Sequence, residues 1–275
     1  MRKLILDLFL GPSVKRLFGF RIKTDRLNDG VDALRPRNWL QGRPRQLAAG
    51  LFFTSLTMVP ATAWAQPYQP PTGDPPSGSI LSSGTRDSCG ENYEIPLTVL
   101  APAQHVGQTS TTTPTLTWFV PTTDSYRIQL SLYTIHDNQP PALLQQIQYV
   151  EDDAGIVSFT LPEEEFQLNP GQRYLWEVNL ACTPDAPMYS QLFVSELEIQ
   201  EPSASLLSGI AAAQTPLERA EIYAGAGYWY DTLREALIAA QNPDTDDLAR
   251  SLLYQLAESE GGIHGQFLTQ IADTM

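Results

Sequence analysis

Three short acidic runs are the residues of this sequence whose type and spacing are best suited to chemistry: 151–153, 163–165 and 244–247. Clustered carboxylates bind Ca²⁺, and a facing pair of carboxylates catalyses glycoside hydrolysis. Adjacent acidic residues in a loop also occur simply because they face water, and the run from Asp244 suits the capped start of a helix. We therefore favour solvated loops over a calcium site and predict no metal and no other cofactor.

Other catalytic signatures are missing from the sequence. It contains no G-x-S-x-G elbow, no H-E-x-x-H pair and no glycine-rich phosphate loop. The three histidines, His105, His136 and His264, are far apart in the chain, which favours surface or loop positions over a role as catalytic bases. We predict no catalytic residue. A hydrolase or carbohydrate-active enzyme that uses paired carboxylates remains the alternative.

Cys89 and Cys182 are the only cysteines of the chain. An even number of cysteines in an exported protein favours a disulfide, and the sequence has no C-x-x-C motif for a metal or redox site. The bridge would close a loop of 93 residues. In the loop-entropy model it would stabilise the fold by about 4–5 kcal/mol.

Residues 1–65 have the pattern of a secretory signal peptide with a long basic start. Eleven Lys and Arg lie in residues 1–45, residues 46–65 carry no charge, and the apolar run ends with Ala63, Trp64 and Ala65. We predict cleavage after Ala65 and a periplasmic or secreted protein. An uncleaved anchor over residues 47–65 is the alternative, but its Thr, Ser and Pro residues disfavour it.

Removal of this leader makes the chain strongly acidic. The full sequence has 17 Lys and Arg against 31 Asp and Glu; without residues 1–65, six Arg and no Lys remain against 27 acidic residues, a net charge of −21. Such a charge repels nucleic acid and anionic lipid, so we predict neither nucleic-acid binding nor a membrane span after cleavage. A solvated acidic surface explains it, and a basic partner is the alternative.

The composition divides the remaining chain into three parts. Residues 66–90 are rich in Pro, Gly and Ser, which predicts a largely disordered linker. Residues 91–201 alternate short β-rich runs with turn signals, and residues 202–275 change to a helical period. We therefore predict a β-sandwich domain followed by a C-terminal helical segment.

The stretch 168–182, LNPGQRYLWEVNLAC, is the clearest strand signal. Tyr174, Trp176 and Cys182 share the buried parity, and Gly171 lies in the turn that leads into the strand. The Leu-x-Pro-Gly-x-x-Tyr pattern predicts a tyrosine corner, in which the hydroxyl bonds to upstream backbone. Trp118 lies in an earlier strand, and we expect it to meet Trp176 between two sheets.

Seven runs have strand character, and no helical pattern separates them: 97–100, 115–120, 125–134, 143–150, 155–161, 172–182 and 191–199. Together with PTLTW, YRIQL and LNPGQRYLWEV, this predicts an antiparallel sandwich that resembles fibronectin type III and immunoglobulin-like modules. The segment SGTRDSC, then PTLTWFVP, GIVSFTLP, PGQRYLWEVNLAC and AGAGYWYDTLREA also resembles, in this order, the cyanobacterial family DUF928. That resemblance implies an exported protein of uncharacterised activity with no assigned site.

Three helices are predicted near the C-terminus. Thr215, Pro216 and Glu218 form a capping-box start for a helix that ends near Ala224. The second covers about 229–241, and the third follows a cap at Asp244 or Thr245. The first two resemble one tetratricopeptide-type hairpin, which must pack on the sandwich, on the third helix or on another protein.

Four aromatic residues cluster at the turn of this hairpin: Tyr223, Tyr228, Trp229 and Tyr230. We favour packing of these rings between hairpin and sandwich, and an interaction surface that stacks a ligand or partner is the alternative. Taken together, the sequence favours a non-enzymatic envelope binding or adaptor module that contacts another envelope protein or a sensor ectodomain. A pocket with two facing carboxylates would favour the enzyme, and an exposed apolar patch the adaptor.

Overall fold

Short runs with one apolar face form eight strands in the part of the chain that the structure describes. The computed structural model describes residues 67–72, 75–77, 94–121, 126–136, 139–151, 154–166, 168–181, 191–242, 245 and 247–275. The strands are β1 Thr98–Val99, β2 Gly107–Thr109, β3 Thr115–Val120, β4 Tyr126–Thr134, β5 Ala142–Glu151, β6 Gly155–Thr160, β7 Arg173–Ala181 and β8 Gln191–Ile199. All seven predicted runs contain a strand. The three-residue β2 is too short to show an alternating pattern.

The strands form two mostly antiparallel sheets. The smaller sheet has the order β1-β3-β6, and the larger has the order β2-β8-β7-β4-β5. The exception is the parallel pairing of β2 with β8, in which Gly107 lies opposite Leu197. The strand β5 therefore forms one edge of the larger sheet, and it has a bulge at Leu144, because the consecutive residues Leu132 and Tyr133 of β4 lie opposite Gln145 and Leu143.

The inner faces of the two sheets share one core. Trp118 from β3 and Trp176 from β7 are both fully buried, and their ring centroids lie 6.5 Å apart. The predicted contact between the two tryptophans is confirmed. It follows from strand parity, because the even-numbered residues of β7 from Tyr174 to Leu180 all point into the core.

The predicted tyrosine corner is present at the start of β7. The backbone N–H of Asn169 donates to the hydroxyl of Tyr174 at 2.9 Å. Gly171 adopts φ 74° in the intervening turn, a conformation that favours glycine. The immunoglobulin-like classification of the whole sandwich remains a prediction.

Five helices follow the sheets: α1 Ala204–Ala212, α2 Pro216–Ala226, α3 Trp229–Ala239, α4 Asp247–Glu260 and α5 Gly262–Thr274. The predicted start of α2 is confirmed, since Thr215 Oγ1 accepts from the Glu218 N–H at 3.2 Å and Glu218 Oε2 accepts from the Gln214 N–H at 2.6 Å. The predicted end was too early: Gly225 stays helical, and Gly227 ends the helix at φ 85°.

The remaining helix boundaries also differ from the prediction. The helix α3 ends at Ala239, and the Thr245 hydroxyl donates to the Ala239 carbonyl at 2.7 Å instead of capping α4. Asp244, the other predicted cap, lies outside the described residues. The helices α1 and α5 were not predicted. The tetratricopeptide-like interpretation of α2 and α3 remains a prediction.

Sheets and helices bury one continuous apolar cluster, which joins Trp176 of β7 to Trp229 of α3 and Leu252 of α4. All described residues belong to one compact unit, 60–275. The hairpin therefore packs on the sandwich, which is one of the three possibilities left open by the sequence. The C-terminal segment contributes to the sandwich core and is not an appendage to it.

The segment 67–72 corrects the linker prediction at its start. Tyr68 is buried, its N–H donates to Gln255 Oε1 at 2.9 Å, and the Gln69 N–H donates to the Ala224 carbonyl at 3.0 Å. A single buried aromatic holds this proline-rich stretch against α2 and α4, which composition alone does not indicate. Cys89 and Cys182 lie outside the described residues, so their disulfide remains a prediction.

Gly265→Ala tests the crossing of α4 and α5. A methyl group at Gly265 would lie 2.5 Å from the backbone oxygen of Ala257, so the helices must move apart. We expect a loss of about 1–3 kcal/mol of unfolding free energy and a lower Tm. Gly225→Ala is the control, because Gly225 is helical with no atom within 4 Å of the new methyl; it should be neutral or stabilise by up to ~1 kcal/mol. Equal Tm values for the two variants would contradict the close crossing.

Candidate functional site

The four aromatic residues at the hairpin turn are packed inside the protein, as favoured from the sequence, and the alternative of an exposed interaction surface is wrong. Tyr223, Tyr228, Trp229 and Tyr230 are between 0% and 8% exposed. Tyr223 and Tyr228 pack edge-to-face at 6.2 Å beside Leu206, and Trp229 donates its indole N–H to the Leu100 carbonyl at 2.9 Å. Burial leaves no ring face for a ligand. Trp229 and Tyr230 join the hairpin to the sandwich, whereas Tyr223 and Tyr228 pack against α1.

Tyr230 forms the polar centre of this junction. Its hydroxyl accepts from Trp176 Nε1–H at 2.8 Å and donates to the Glu196 carbonyl at 3.2 Å. The ring of Tyr230 also leaves room only for glycine at position 107, where a methyl would lie 2.7 Å from it. Burial raises the pKa of Tyr230, so the hydroxyl keeps its proton and can donate while it accepts.

Buried carboxylates link other elements of the fold. Asp231 at the start of α3 accepts from both the N–H and the hydroxyl of Ser110, at 2.8 and 2.9 Å. Burial raises the pKa of Asp231, and these two bonds oppose the rise. Glu235 accepts from Arg219 at 2.8 Å and from Arg234 at 2.9 Å. Two of the six arginines that follow residue 65 therefore form ion pairs with one buried carboxylate.

Glu196 on β8 fixes a further piece of the N-terminal region. Its Oε1 accepts from both the N–H and the hydroxyl of Ser77, at 2.8 and 2.7 Å. The residue is 1% exposed. The short segment 75–77 therefore lies against the larger sheet, a second departure from a simple linker.

A cavity of about 210 Å³ lies where α4 ends and α5 begins. Glu260 and His264 supply its charged and titratable groups, and its apolar wall includes Val99, Phe193 and Ile263. The Glu260 side chain is fully buried, whereas Ile263 at the rim is 61% exposed. The carboxylate of Glu260 is therefore closed off from water, and the exposed part of this residue is main chain.

Two polar atoms in this cavity have no hydrogen-bond partner among the described residues: Glu260 Oε2 and His264 Nδ1. They lie 3.8 Å apart, too far for a hydrogen bond. The other atoms of both groups are used, because Glu260 Oε1 accepts from the Gln104 N–H at 3.2 Å and His264 Nε2 donates to the Val99 carbonyl at 3.1 Å. A carbonyl only accepts, so Nε2 carries a proton.

His105 lies close to the same carboxylate. Its ring stacks on Tyr68 with centroids 5.8 Å apart, and its Nε2 lies 3.0 Å from the Tyr68 hydroxyl. Burial lowers the pKa of His105, and the negative charge of Glu260 opposes the decrease. Two histidines that are scattered in the sequence, His105 and His264, therefore converge on Glu260. The predicted loop position is correct for His105, which lies between β1 and β2, and wrong for His264, which lies in α5.

The other exposed feature is the edge strand β5. Its inward residues Ile147 and Tyr149 pack against the core, and Tyr149 stacks on Phe159 of β6 at 5.9 Å. Leu143, Leu144 and Val150 are 55%, 40% and 53% exposed. On the side of β5 away from β4, the described residues contribute no further strand.

The acidic runs form no metal site in the described part of the chain. Glu163, Glu164 and Glu165 are exposed in a turn, and no group of three or more His, Cys, Asp or Glu side chains there is arranged to hold a metal ion. Asp152, Asp153, Asp244 and Asp246 lie outside the described residues. Among the helices that are described, none has the length and apolar character needed to cross a bilayer.

Comparison with known proteins supports a family without an assigned activity. The profile of the family described as Domain of Unknown Function (DUF928) matches residues 81–261. No curated protein matches the chain. The sensor domain of the anti-sigma factor RsgI4 of Pseudobacteroides cellulosolvens is similar at 14% identity, over 44% of this chain and 85% of that domain, with a TM-score of 0.26. A TM-score this low does not establish a shared fold.

Sequence reasoning missed the cavity because its residues come from distant segments. Val99 and Gln104 precede the main strands, whereas Glu260 and His264 lie near the end of the chain. One local signal was available: Glu260 and His264 are four residues apart across the glycine pair 261–262, and both glycines adopt positive φ. Such a pair marks a tight connection between two helices, at which side chains on either side meet.

Tyr230→Phe tests the polar junction between sheet and helix. The substitution leaves the buried Trp176 N–H without the acceptor that Tyr230 supplies and removes one donor to the Glu196 carbonyl. We expect a loss of about 1–3 kcal/mol in chemical denaturation. Tyr254→Phe is the matched control, because Tyr254 is 39% exposed and water can replace its hydroxyl; it should stay within about 0.5 kcal/mol. A Tyr230→Phe protein as stable as this control would refute the role of the junction.

The lowered pKa of His105 predicts a dependence of stability on pH. The pKa of a His in the unfolded chain is about 6.5, and the pKa of His105 in the folded chain is lower. As the pH falls, the unfolded chain therefore binds this proton before the folded chain does. The free energy of unfolding should therefore fall as the pH decreases through about 6.5 towards the folded pKa. NMR titration of the ring measures the pKa directly. Because Glu260 raises it, Glu260→Gln should lower the pKa of His105 further; an unchanged or higher value would argue against this coupling.

Proposed function

Because the chain belongs to the DUF928 family, whose name assigns no activity, we propose from its surface that it is an exported, non-enzymatic binding module of the cell envelope. It acts as an adaptor through contacts with another protein. The observation that carries this proposal is the long exposed edge strand β5, Ala142–Glu151. The partner contributes an extended segment that pairs with this edge.

An open edge strand exposes a row of backbone N–H and C=O groups that can pair with another chain. Soluble proteins usually protect such edges with lysines, prolines, bulges or short strands. The strand β5 has ten residues, and from Ala142 to Val150 it contains neither a charged residue nor a proline. Its one bulge, at Leu144, lies near its start and leaves residues 145–151 in regular register with β4. Edges of this kind serve other proteins in strand addition, where backbone bonds give affinity and alternate side chains give specificity.

The exposed side chains and the charge of the chain define the partner segment. Leu144 and Val150 lie on the outward side of β5 and can contact apolar residues at alternate positions of an added strand. The strand ends at Glu151, which is followed in sequence by Asp152 and Asp153. Residues 66–275 have a net charge of −21. A segment with alternating apolar and basic residues therefore complements this edge.

The buried carboxylates support a non-enzymatic role. Asp231 and Glu235 each accept two bonds or ion pairs from side chains and backbone of the same chain. Charges held in this way stabilise contacts between elements. They are not placed as a facing catalytic pair in an open cleft. The exposed edge is consequently the better candidate for the functional surface.

A short peptide with alternating Val and Lys residues is the probe for strand addition. We expect it to bind the full-length protein and to slow amide hydrogen exchange in β5, because each added backbone bond protects an N–H group. Leu144→Lys should weaken binding by at least ~10-fold, since it places a charge on the edge that repels the peptide. Ile238→Lys makes the same change at a residue of equal exposure, 41% against 40%, on α3; it should retain binding.

A second peptide separates strand pairing from simple charge attraction. Methylation of alternate backbone nitrogens removes pairing N–H groups and keeps every charge, so this peptide should bind weakly. Equal binding of the two peptides, equal effects of the two Lys variants, or protection outside β5 would overturn the proposal. Self-association that Leu144→Lys abolishes, without peptide binding, would instead identify a second copy of the chain as the occupant.

A further inference from the structure

We propose that the groove filled by residues 67–72 is a peptide-binding site, and that this segment, the arm, is an intramolecular ligand that competes with a partner protein. The partner supplies a tyrosine, then a residue other than proline, then two prolines, which is the order of residues 68–71. The groove lies between the end of α2, the start of α3, α4 and the connection from β1 to β2. It is separate from the β5 edge.

The tyrosine ring anchors the arm. Tyr68 is 8% exposed, and its ring meets Trp229 edge-to-face with centroids 5.0 Å apart and stacks on His105 at 5.8 Å. Its hydroxyl lies 3.0 Å from His105 Nε2 and 3.5 Å from the Gly227 carbonyl oxygen. A pocket that contacts both the ring and its polar tip selects tyrosine over other side chains.

The groove also bonds the backbone of the arm. The Tyr68 N–H donates to Gln255 Oε1 at 2.9 Å, and the Gln69 N–H donates to the Ala224 carbonyl at 3.0 Å. A proline directly after the tyrosine would lack this second N–H. Gly227 has φ 85°, and a Cβ there would lie 2.9 Å from the Gln69 carbonyl oxygen. The missing side chain therefore lets the arm approach the end of α2.

Contacts that do not involve the arm hold the walls of the groove. The Trp229 indole N–H donates to the Leu100 carbonyl at 2.9 Å. Gln255 Nε2 donates to Ser251 Oγ at 3.2 Å, which fixes the amide whose Oε1 accepts from the arm. The Gly227 N–H bonds back into the last turn of α2. Walls fixed in this way form a site that is ready for a ligand.

The arm is attached by few contacts of its own. Pro67, Gln69, Pro70 and Thr72 are exposed, and Tyr68 is the one buried side chain of the arm. Segments with few buried apolar contacts open locally, at a lower cost than global unfolding. The arm can therefore leave the groove while the rest of the protein stays folded.

The family match separates the arm from its groove. The match to DUF928 covers residues 81–261, which include every wall residue from His105 to Gln255 and do not include the arm. The walls thus belong to the family domain, whereas the arm precedes it. This favours an arm that occupies a site of the domain over an arm that is a necessary part of its core.

Fluorescence anisotropy of a labelled peptide, PYQPPT, tests the site in the full-length protein. Tyr68→Ala removes the anchor of the arm and frees the groove. This variant should bind the peptide saturably and at least ~10-fold more tightly than the unaltered chain, in which the arm competes. Gln69→Pro, at an exposed position, releases the arm without loss of an aromatic ring. It should tighten peptide binding in the same direction, also where Tyr68→Ala lowers stability.

Controls identify the contacts that matter. The peptide PYPPPT lacks the N–H for the Ala224 carbonyl and PAQPPT lacks the ring, so neither should bind. Gly227→Asn in the Tyr68→Ala chain keeps a left-handed conformation, which Asn tolerates, and its Cβ blocks the groove, so peptide binding should be lost. Gly225→Asn is the matched control, because Gly225 lies in the same helix with no atom within 4 Å of a new Cβ; it should retain binding. The Val and Lys peptide used for β5 should not displace PYQPPT.

Three results would overturn the proposal: equal binding of PYQPPT and PYPPPT, binding that survives Gly227→Asn, or no saturable binding to either released variant. A mixture of Tyr68→Ala, which has a free groove, and Gly227→Asn, which keeps an intact arm, identifies the source of the segment. Peptide binding without association of these two chains supports a different protein. A 1:1 complex of the two, each monomeric alone, would replace that partner by a second copy of this chain.

Discussion

The hydrogen bonds of the Tyr230 hydroxyl hold together the two halves of this fold. The hydroxyl joins Trp176 in the larger sheet to the backbone of Glu196 in the neighbouring strand, and it comes from the first turn of α3. All three groups are buried. A buried polar group without a partner costs more than a hydrogen bond gains, so sheet and helix are fixed relative to each other by the need to satisfy all three at once. Trp229, one residue earlier, makes a similar link, because its indole N–H donates to the Leu100 carbonyl in the segment after β1.

This constraint explains why strands and helices form one unit although the sequence changes period between them. The apolar cluster is continuous across the boundary at residue 202. Buried carboxylates add directional hydrogen bonds and ion pairs, which fix the relative orientation of elements that apolar packing alone does not fix. Asp231 holds the loop after β2 against α3, Glu235 holds α2 against α3 through Arg219, and Glu196 holds the segment 75–77. In a chain with few cations, most of these carboxylates are satisfied by hydroxyl and backbone donors.

Contacts within the described chain leave two features without a partner. One is a strand edge and the other is a pair of polar atoms, and we look for function at such features. The strand β5 leaves one side of a ten-residue edge without a neighbouring strand in the described structure. The cavity at Glu260 leaves one carboxylate oxygen and one ring nitrogen without partners. Other buried side-chain atoms also lack a partner among the described residues, including Trp118 Nε1, Tyr149 Oη and Gln270 Oε1. The acidic surface adds a preference for a partner of the β5 edge that brings positive charge.

The sequence by itself determined the local structure and the family. Short β-rich runs between turn signals predicted every strand except β2, the turn at Gly171 predicted the hydrogen bond of Tyr174, and Thr215 with Glu218 predicted the start of α2. These features depend on residues a few positions apart, whose spacing sets backbone geometry and decides which face is apolar. The family resemblance follows from the order of such motifs along the chain and is confirmed by the match over residues 81–261.

Only the tertiary structure decided which of these faces meet. The four aromatics at the hairpin turn could equally face solvent or the sandwich, and the fold buried them. His105, Glu260 and His264 are brought together by the packing of α4 and α5 against the segment after β1. Tyr68 is held by helices that begin about 150 residues later in the chain. Contacts between residues so far apart in the chain depend on the burial of the whole core. The pattern of a few neighbouring residues in the sequence does not predict them.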